Sequence, residues 1–72
     1  MTVEELTKMR KDARIPGYLV GQRMGVSQST ISAYERGAIP IPDGKLPEWE
    51  KALRSVIRER AGEMRAVAGA AR

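Results

Sequence analysis

Apolar residues recur at helical spacing along most of this chain. Leu6, Met9 and Ala13 fall at i, i+3 and i+7, which is one face of a first helix. Thr2 precedes that face as a cap, and Glu5 follows three residues on, the pattern of a capping box. Pro16 disfavours a helical Ile15, so helix 1 is predicted to stop near Arg14. A second helix opens at Pro16 or Gly17, where the missing proline N–H does no harm, and runs to about Met24. Gly25 ends it with the positive φ that only glycine adopts cheaply. Ser27 suits the N-cap of a third helix, which runs to about Arg36 and is closed by Gly37. Ala38–Gly44, AIPIPDG, reads as a loop, because two alternating prolines cannot occupy a helix interior and Asp43-Gly44 is a turn signal. A fourth helix is predicted from Leu46 or Pro47, with Glu48 and Glu50 favourable in its first turn and Trp49, Leu53, Val56 and Ile57 as its apolar stripe. The stripe then thins to Ala61, Met64 and Ala68, Gly62 costs about 1 kcal/mol relative to Ala, and the tail AVAGAAR is expected to fray. There is no strand pattern and no internal repeat, so the fold class is all-α, a small bundle of four to five helices.

The centre of the chain, GYLVGQRMGVSQSTISAYERG over residues 17–37, carries the most specific pattern. Val20 and Met24 of the second helix would face Ile31 and Tyr34 of the third, with Val26 filling the corner. Gly21 removes a side chain where two backbones would cross closely. This is the layout of a helix-turn-helix, whose second helix is offered to the major groove of DNA.

Composition narrows the function. The 72 residues form one small domain with a modest core, the kind that often relies on a disulfide, a metal or a partner subunit. There is no Cys, so no disulfide or thiolate metal site, and no His, the commonest general base and metal ligand. Without clustered carboxylates or a phosphate-cradling glycine loop, nothing supports an enzyme mechanism, a cofactor or a small-molecule ligand. Thirteen Lys and Arg against nine Asp and Glu leave a net charge of +4, which favours an anionic partner. The start, MTVEELTK, lacks the apolar core of a signal peptide, and no run approaches the length of a membrane span. The expectation is a soluble cytoplasmic protein. A basic amphipathic helix lying on a membrane over residues 51–65 is disfavoured, because Glu59 and Glu63 dilute its charge.

The sequence resembles the Cro and phage-repressor family, also described as xenobiotic-response-element-like helix-turn-helix proteins. Gly25-Val26-Ser27, Ser29-Thr30-Ile31-Ser32 and Tyr34-Glu35-Arg36-Gly37 carry the resemblance, which spans roughly residues 5–57. It implies the lambda-repressor-like fold and homodimeric binding to operator DNA in a prokaryote or phage. It also implies base-reading roles for Gln28, Ser29 and Ala33, and Ser32 lies on the same outward face. Gln suits an adenine edge, Ser several bases, and the Ala methyl a thymine methyl. The resemblance further implies a scaffold ion pair between Arg10 and Glu35. Phosphate candidates are Arg14, Arg23, Arg36 and Lys45 near the groove rims, and the hydroxyls of Ser27, Thr30 and Ser32. Ser27 has the alternative role of a simple N-cap. The chain departs from the family at Pro16-Gly17, where members often carry Thr-Gln or Ser-Gln, the Gln reaching a phosphate. The amides of Gly17 and Tyr18 are left to meet that phosphate. The loop after the third helix is also unusually rich in proline.

Residues 1–57 therefore read as a DNA-binding unit, and residues 58–72 as an extension of the last helix. The segment Val56–Val67 is a candidate dimer contact, although Arg60 and Glu63 interrupt any coiled-coil seam. The favoured function is a sequence-specific transcription regulator, a Cro-like or small phage-type repressor bound to double-stranded DNA. The competing reading is an antitoxin or protein-interaction adaptor that uses the loop Ile39–Gly44 and the distal fourth helix.

Overall fold

The computed structural model describes the backbone of residues 1–70 and the side chains of residues 1–62. Four helices follow in order: α1 (Val3–Asp12), α2 (Gly17–Met24), α3 (Gln28–Arg36) and α4 (Lys45–Ala70). No strand occurs among the described residues.

Local chemistry sets most of the helix ends. The Thr2 hydroxyl accepts from the Glu5 N–H at 3.2 Å, and the Glu5 carboxylate accepts from the Thr2 N–H at 2.9 Å. This reciprocal pair holds the Glu5 carboxyl below its ordinary pKa, chiefly through the bond from the Thr2 backbone. Three of the helices end in one way. After α2, Gly25 takes φ 72 and the Val26 N–H reaches back to the Gly21 carbonyl at 2.9 Å. After α3, Gly37 takes φ 71 and the Ala38 N–H reaches the Ala33 carbonyl at 2.8 Å. Both are Schellman closures. After α1 the same closure forms without glycine: Arg14 takes φ 57, and the Ile15 N–H reaches the Arg10 carbonyl at 3.0 Å. Helix α1 therefore ends at Asp12, earlier than the Pro16 rule suggests, and Arg14 lies outside it. The closure swings Ile15 into the core, where it is 2 % exposed.

The core gathers Leu6 of α1, Ile15, Val20 and Met24 of α2, Ile31 and Tyr34 of α3, and Trp49, Ala52, Leu53 and Val56 of α4. Trp49 and Leu53 are fully buried, and the Trp49 ring lies 6.0 Å from the Tyr34 ring. Helix α4 packs against α1 and α2, and α3 against α2 and α1.

Two features of α4 differ from the sequence expectation. It starts at Lys45, just before Leu46, and its backbone is helical through Ala70, into the tail expected to fray. Alanine is the best helix former, which favours continuation there. Val56 is 4 % exposed within the domain's own core, so it is unavailable to a dimer contact. Ile57, also expected at such a contact, is half-buried against the core, and Met64 and Val67 have side chains outside the described residues. None of the described helices is long and apolar enough to cross a membrane.

Candidate nucleic-acid interface

The corner between α2 and α3 is built around Gly21. A Cβ at this position would lie 2.6 Å from the Val26 carbonyl oxygen and 3.5 Å from Ile31 Cγ1. The two segments thus pass at a distance that only glycine permits. The Gly21 carbonyl accepts the Val26 N–H in the same turn, which pins the entry to α3. Val26 is half-buried over the corner, and Val20, Met24, Ile31 and Tyr34 are buried beneath it.

Ser27 caps α3, its hydroxyl accepting the Thr30 N–H at 3.1 Å. The Ser27 and Thr30 hydroxyls are also 3.0 Å apart. Both are thus committed to the first turn of α3, although each retains hydrogen-bonding capacity toward an outside group. Gln28 and Ser29 stand exposed on that turn, while Ser32 and Ala33 are half-buried. The outward face is therefore graded along the helix. Its first turn is open, and its second is partly shielded by the domain.

The expected phosphate ligands divide into separate environments. No side chain caps α2, since Pro16 occupies the N-cap position, and the first-turn amides of Gly17 and Tyr18 have no side-chain partner. Such amides, with the helix dipole behind them, favour an anion. Arg14 is exposed at the α1–α2 junction. Arg36 is exposed, and its Nε donates at 3.3 Å to the Ser32 carbonyl one turn back. Lys45 is half-buried and pairs with Glu48 at 3.4 Å. Arg23 faces α4, where its guanidinium donates to Ser55 Oγ at 2.7 Å and to the Glu59 carboxylate. That engagement ties α2 to α4. Nothing in the periodicity of α2 signals it, because Ser55 and Glu59 lie more than thirty residues away.

Arg10 and Glu35 meet across α1 and α3. Arg10 Nε donates to one Glu35 oxygen at 2.7 Å and Nη2 to the other at 2.9 Å. Arg10 Nη1 also donates to the Ile15 carbonyl at 2.9 Å. The side chains are only 15 % and 12 % exposed. One guanidinium thus joins α1, the α1–α2 connection and α3 behind the exposed face of the recognition helix. The fork geometry is specific to arginine.

Two large apolar side chains, at positions the sequence singles out for the Tyr18 amide and for the Ile39–Gly44 loop, are exposed. Tyr18 at the start of α2 is 47 % exposed, and Ile39 beyond the C-terminus of α3 is 41 % exposed. Their surroundings in sequence, a helix start and a proline-rich loop, hide them from any periodicity argument. Among the described residues no group of His, Cys, Asp and Glu is placed to hold a metal ion.

Comparison with curated proteins gave no match, and comparison with solved structures gave none. A helix-turn-helix family model matches residues 6–56, from within α1 through α2 and α3 to Val56 of α4. That family binds DNA, regulates transcription and is not enzymatic. The chain belongs to the helix-turn-helix family of the Cro and phage-repressor type, with the all-α lambda-repressor-like fold.

Proposed function

We propose that this protein is a Cro-like or small phage-type repressor that binds a pseudo-palindromic operator as a homodimer. Each α3 enters the major groove at half-sites about one helical turn apart. Repression follows from occupying a promoter, in the cytoplasm of a prokaryotic host. Residues 1–57 are the DNA-binding unit, and residues 58–72 extend its last helix.

The observation that carries this reading is the exposure of Gln28 and Ser29 on the capped first turn of α3, beyond the Gly21 crossing. Gln28 is the principal base reader, with two hydrogen bonds to an adenine edge, and Ser29 is its neighbour on the same turn. Ser32 and Ala33 contribute through their exposed parts. The amides of Gly17 and Tyr18 bind one phosphate, and Arg14, Arg36, Lys45 and the hydroxyls of Ser27 and Thr30 contact others. Arg23 is left out of this set, because Ser55 and Glu59 hold its guanidinium.

Selection of bound sequences from a random duplex pool, followed by titration at two salt concentrations, tests the reading. A two-fold symmetric site whose affinity falls as salt rises is the expected result. Gln28→Ala should cost about 1–3 kcal/mol at one base position and relax preference there. An unchanged ranking of operator variants in Gln28→Ala removes that residue from base reading. Absence of any enriched site refutes sequence-specific regulation.

A further inference from the structure

We infer that the groove between α1 and α4 docks an acidic amphipathic segment of a protein partner. Its floor is apolar: Met9 from α1 and Ile57 from α4, each half-buried and packed on the core, with half-buried Ala13 in the adjoining depression along α1 that shares Met9. Its α4 rim carries Lys51, Arg54 and Arg58, which line the groove beside Met9 and Ile57. The i, i+3, i+7 spacing sets these three cations in one stripe, about 10 Å from first to last.

The charges on the two rims are not equivalent. On the α1 side Lys8 is paired with Asp12 at 2.8 Å, and Glu5 is committed to the Thr2 cap. On the α4 side Arg54 shares Glu50 at 3.0 Å, while Lys51 and Arg58 have no ion-pair partner among the described residues. Like charges one turn apart on a helix repel, and an acidic partner would relieve that cost. A phosphate backbone would answer the cations and leave Met9 and Ile57 uncovered. A helical peptide with carboxylates beside Leu or Phe answers both, in the manner of helix-in-groove recognition. No residue of α3 lines the groove, so an occupant leaves Gln28 and Ser29 free for DNA.

The test uses the full chain and a panel of fluorescein-labelled acidic amphipathic peptides of about 16 residues, long enough for several helical turns. Fluorescence anisotropy measures binding, and amide shifts in NMR spectra map it. Salt-sensitive binding is expected, with shifts at Met9, Ala13 and residues 51–58. The exposed pair K51E/R58E should weaken it about tenfold or more, with unchanged thermal melting and duplex binding within about twofold of the parent. Four results overturn the proposal. No peptide of the panel binds; the shifts fall on Gln28, Ser29 and the start of α2, so that the peptide mimics DNA; K51E/R58E loses duplex affinity, so that the stripe is a phosphate contact; or the same variant abolishes self-association mapped to the groove, so that the occupant is a second copy. Duplex binding is read separately in every arm, so failure here is distinguishable from failure of the repressor reading.

Discussion

Gly21→Ala isolates the backbone crossing on which the α2–α3 corner depends. The added Cβ would stand 2.6 Å from the Val26 carbonyl oxygen, and real Cβ atoms essentially never come closer than 3.0 Å. The obstacle is backbone, so no rotamer change relieves it. The turn must move by roughly half an ångström, an overpacking cost of about 1–3 kcal/mol. The same movement strains the 2.9 Å bond from the Val26 N–H to the Gly21 carbonyl, and a hydrogen bond of this kind contributes about 1 kcal/mol. Against this, Ala gains at most about 1 kcal/mol of helix propensity over Gly. The net expectation is a loss of about 1–3 kcal/mol. For a domain of this size that lowers Tm by roughly 5–20 °C. Circular dichroism at 222 nm during heating, checked by urea unfolding, measures it. Gly62→Ala is the matched control, since nothing lies within 4 Å of a Cβ there. It should raise helicity and leave Tm unchanged or higher. If Gly21→Ala melts at or above the parent temperature, the close crossing is wrong and with it the fixed angle of α3.

Three further outcomes are expected. Arg10→Ala should cost about 1–3 kcal/mol, less than the loss from breaking a fully buried pair because some solvent reaches both groups. Arg10→Lys should recover only part, since it cannot form the two-pronged bond to Glu35 while holding the Ile15 carbonyl; equal melting temperatures for parent, Lys and Ala variants would dismiss the scaffold role. Arg14→Gly should stabilise by about 0.5 kcal/mol, because relief of left-handed strain slightly exceeds the added freedom of the unfolded chain. The same variant should bind duplex DNA more weakly if Arg14 contacts phosphate, which separates the two roles by urea unfolding and by titration. The Glu5 carboxyl is held below its ordinary pKa, so its contribution is present above the unfolded value and is lost as pH falls through the lowered folded value. Melting temperature against pH should therefore show a smaller acid decline in Glu5→Gln than in the parent.

What the chain determines by itself is local. Thr2 with Glu5, Pro16, Gly25, Ser27 and Gly37 each act on backbone groups within a few residues, so the limits of α2 and α3 follow from nearest-neighbour chemistry. Gly21 belongs to this class only in part: its spacing marks a crossing, but the distance to the Val26 carbonyl requires both helices in place. The side chains that depend on distant partners were decided by tertiary structure. Arg23 looks like any basic residue on an exposed face until α4 brings Ser55 and Glu59 to it. Val56 sits on a stripe that serves a core or a dimer equally well, and only the packing of α4 assigns it to the core. Ile15 falls between helices, outside any periodicity, and enters the core because Arg14 accepts a left-handed turn. Ser32 and Ala33 share the outward face with Gln28 and Ser29 by helical angle, yet neighbouring structure half-covers them. Periodicity specifies the direction in which a side chain leaves its helix. What occupies the space beyond depends on how helices far apart in sequence pack together.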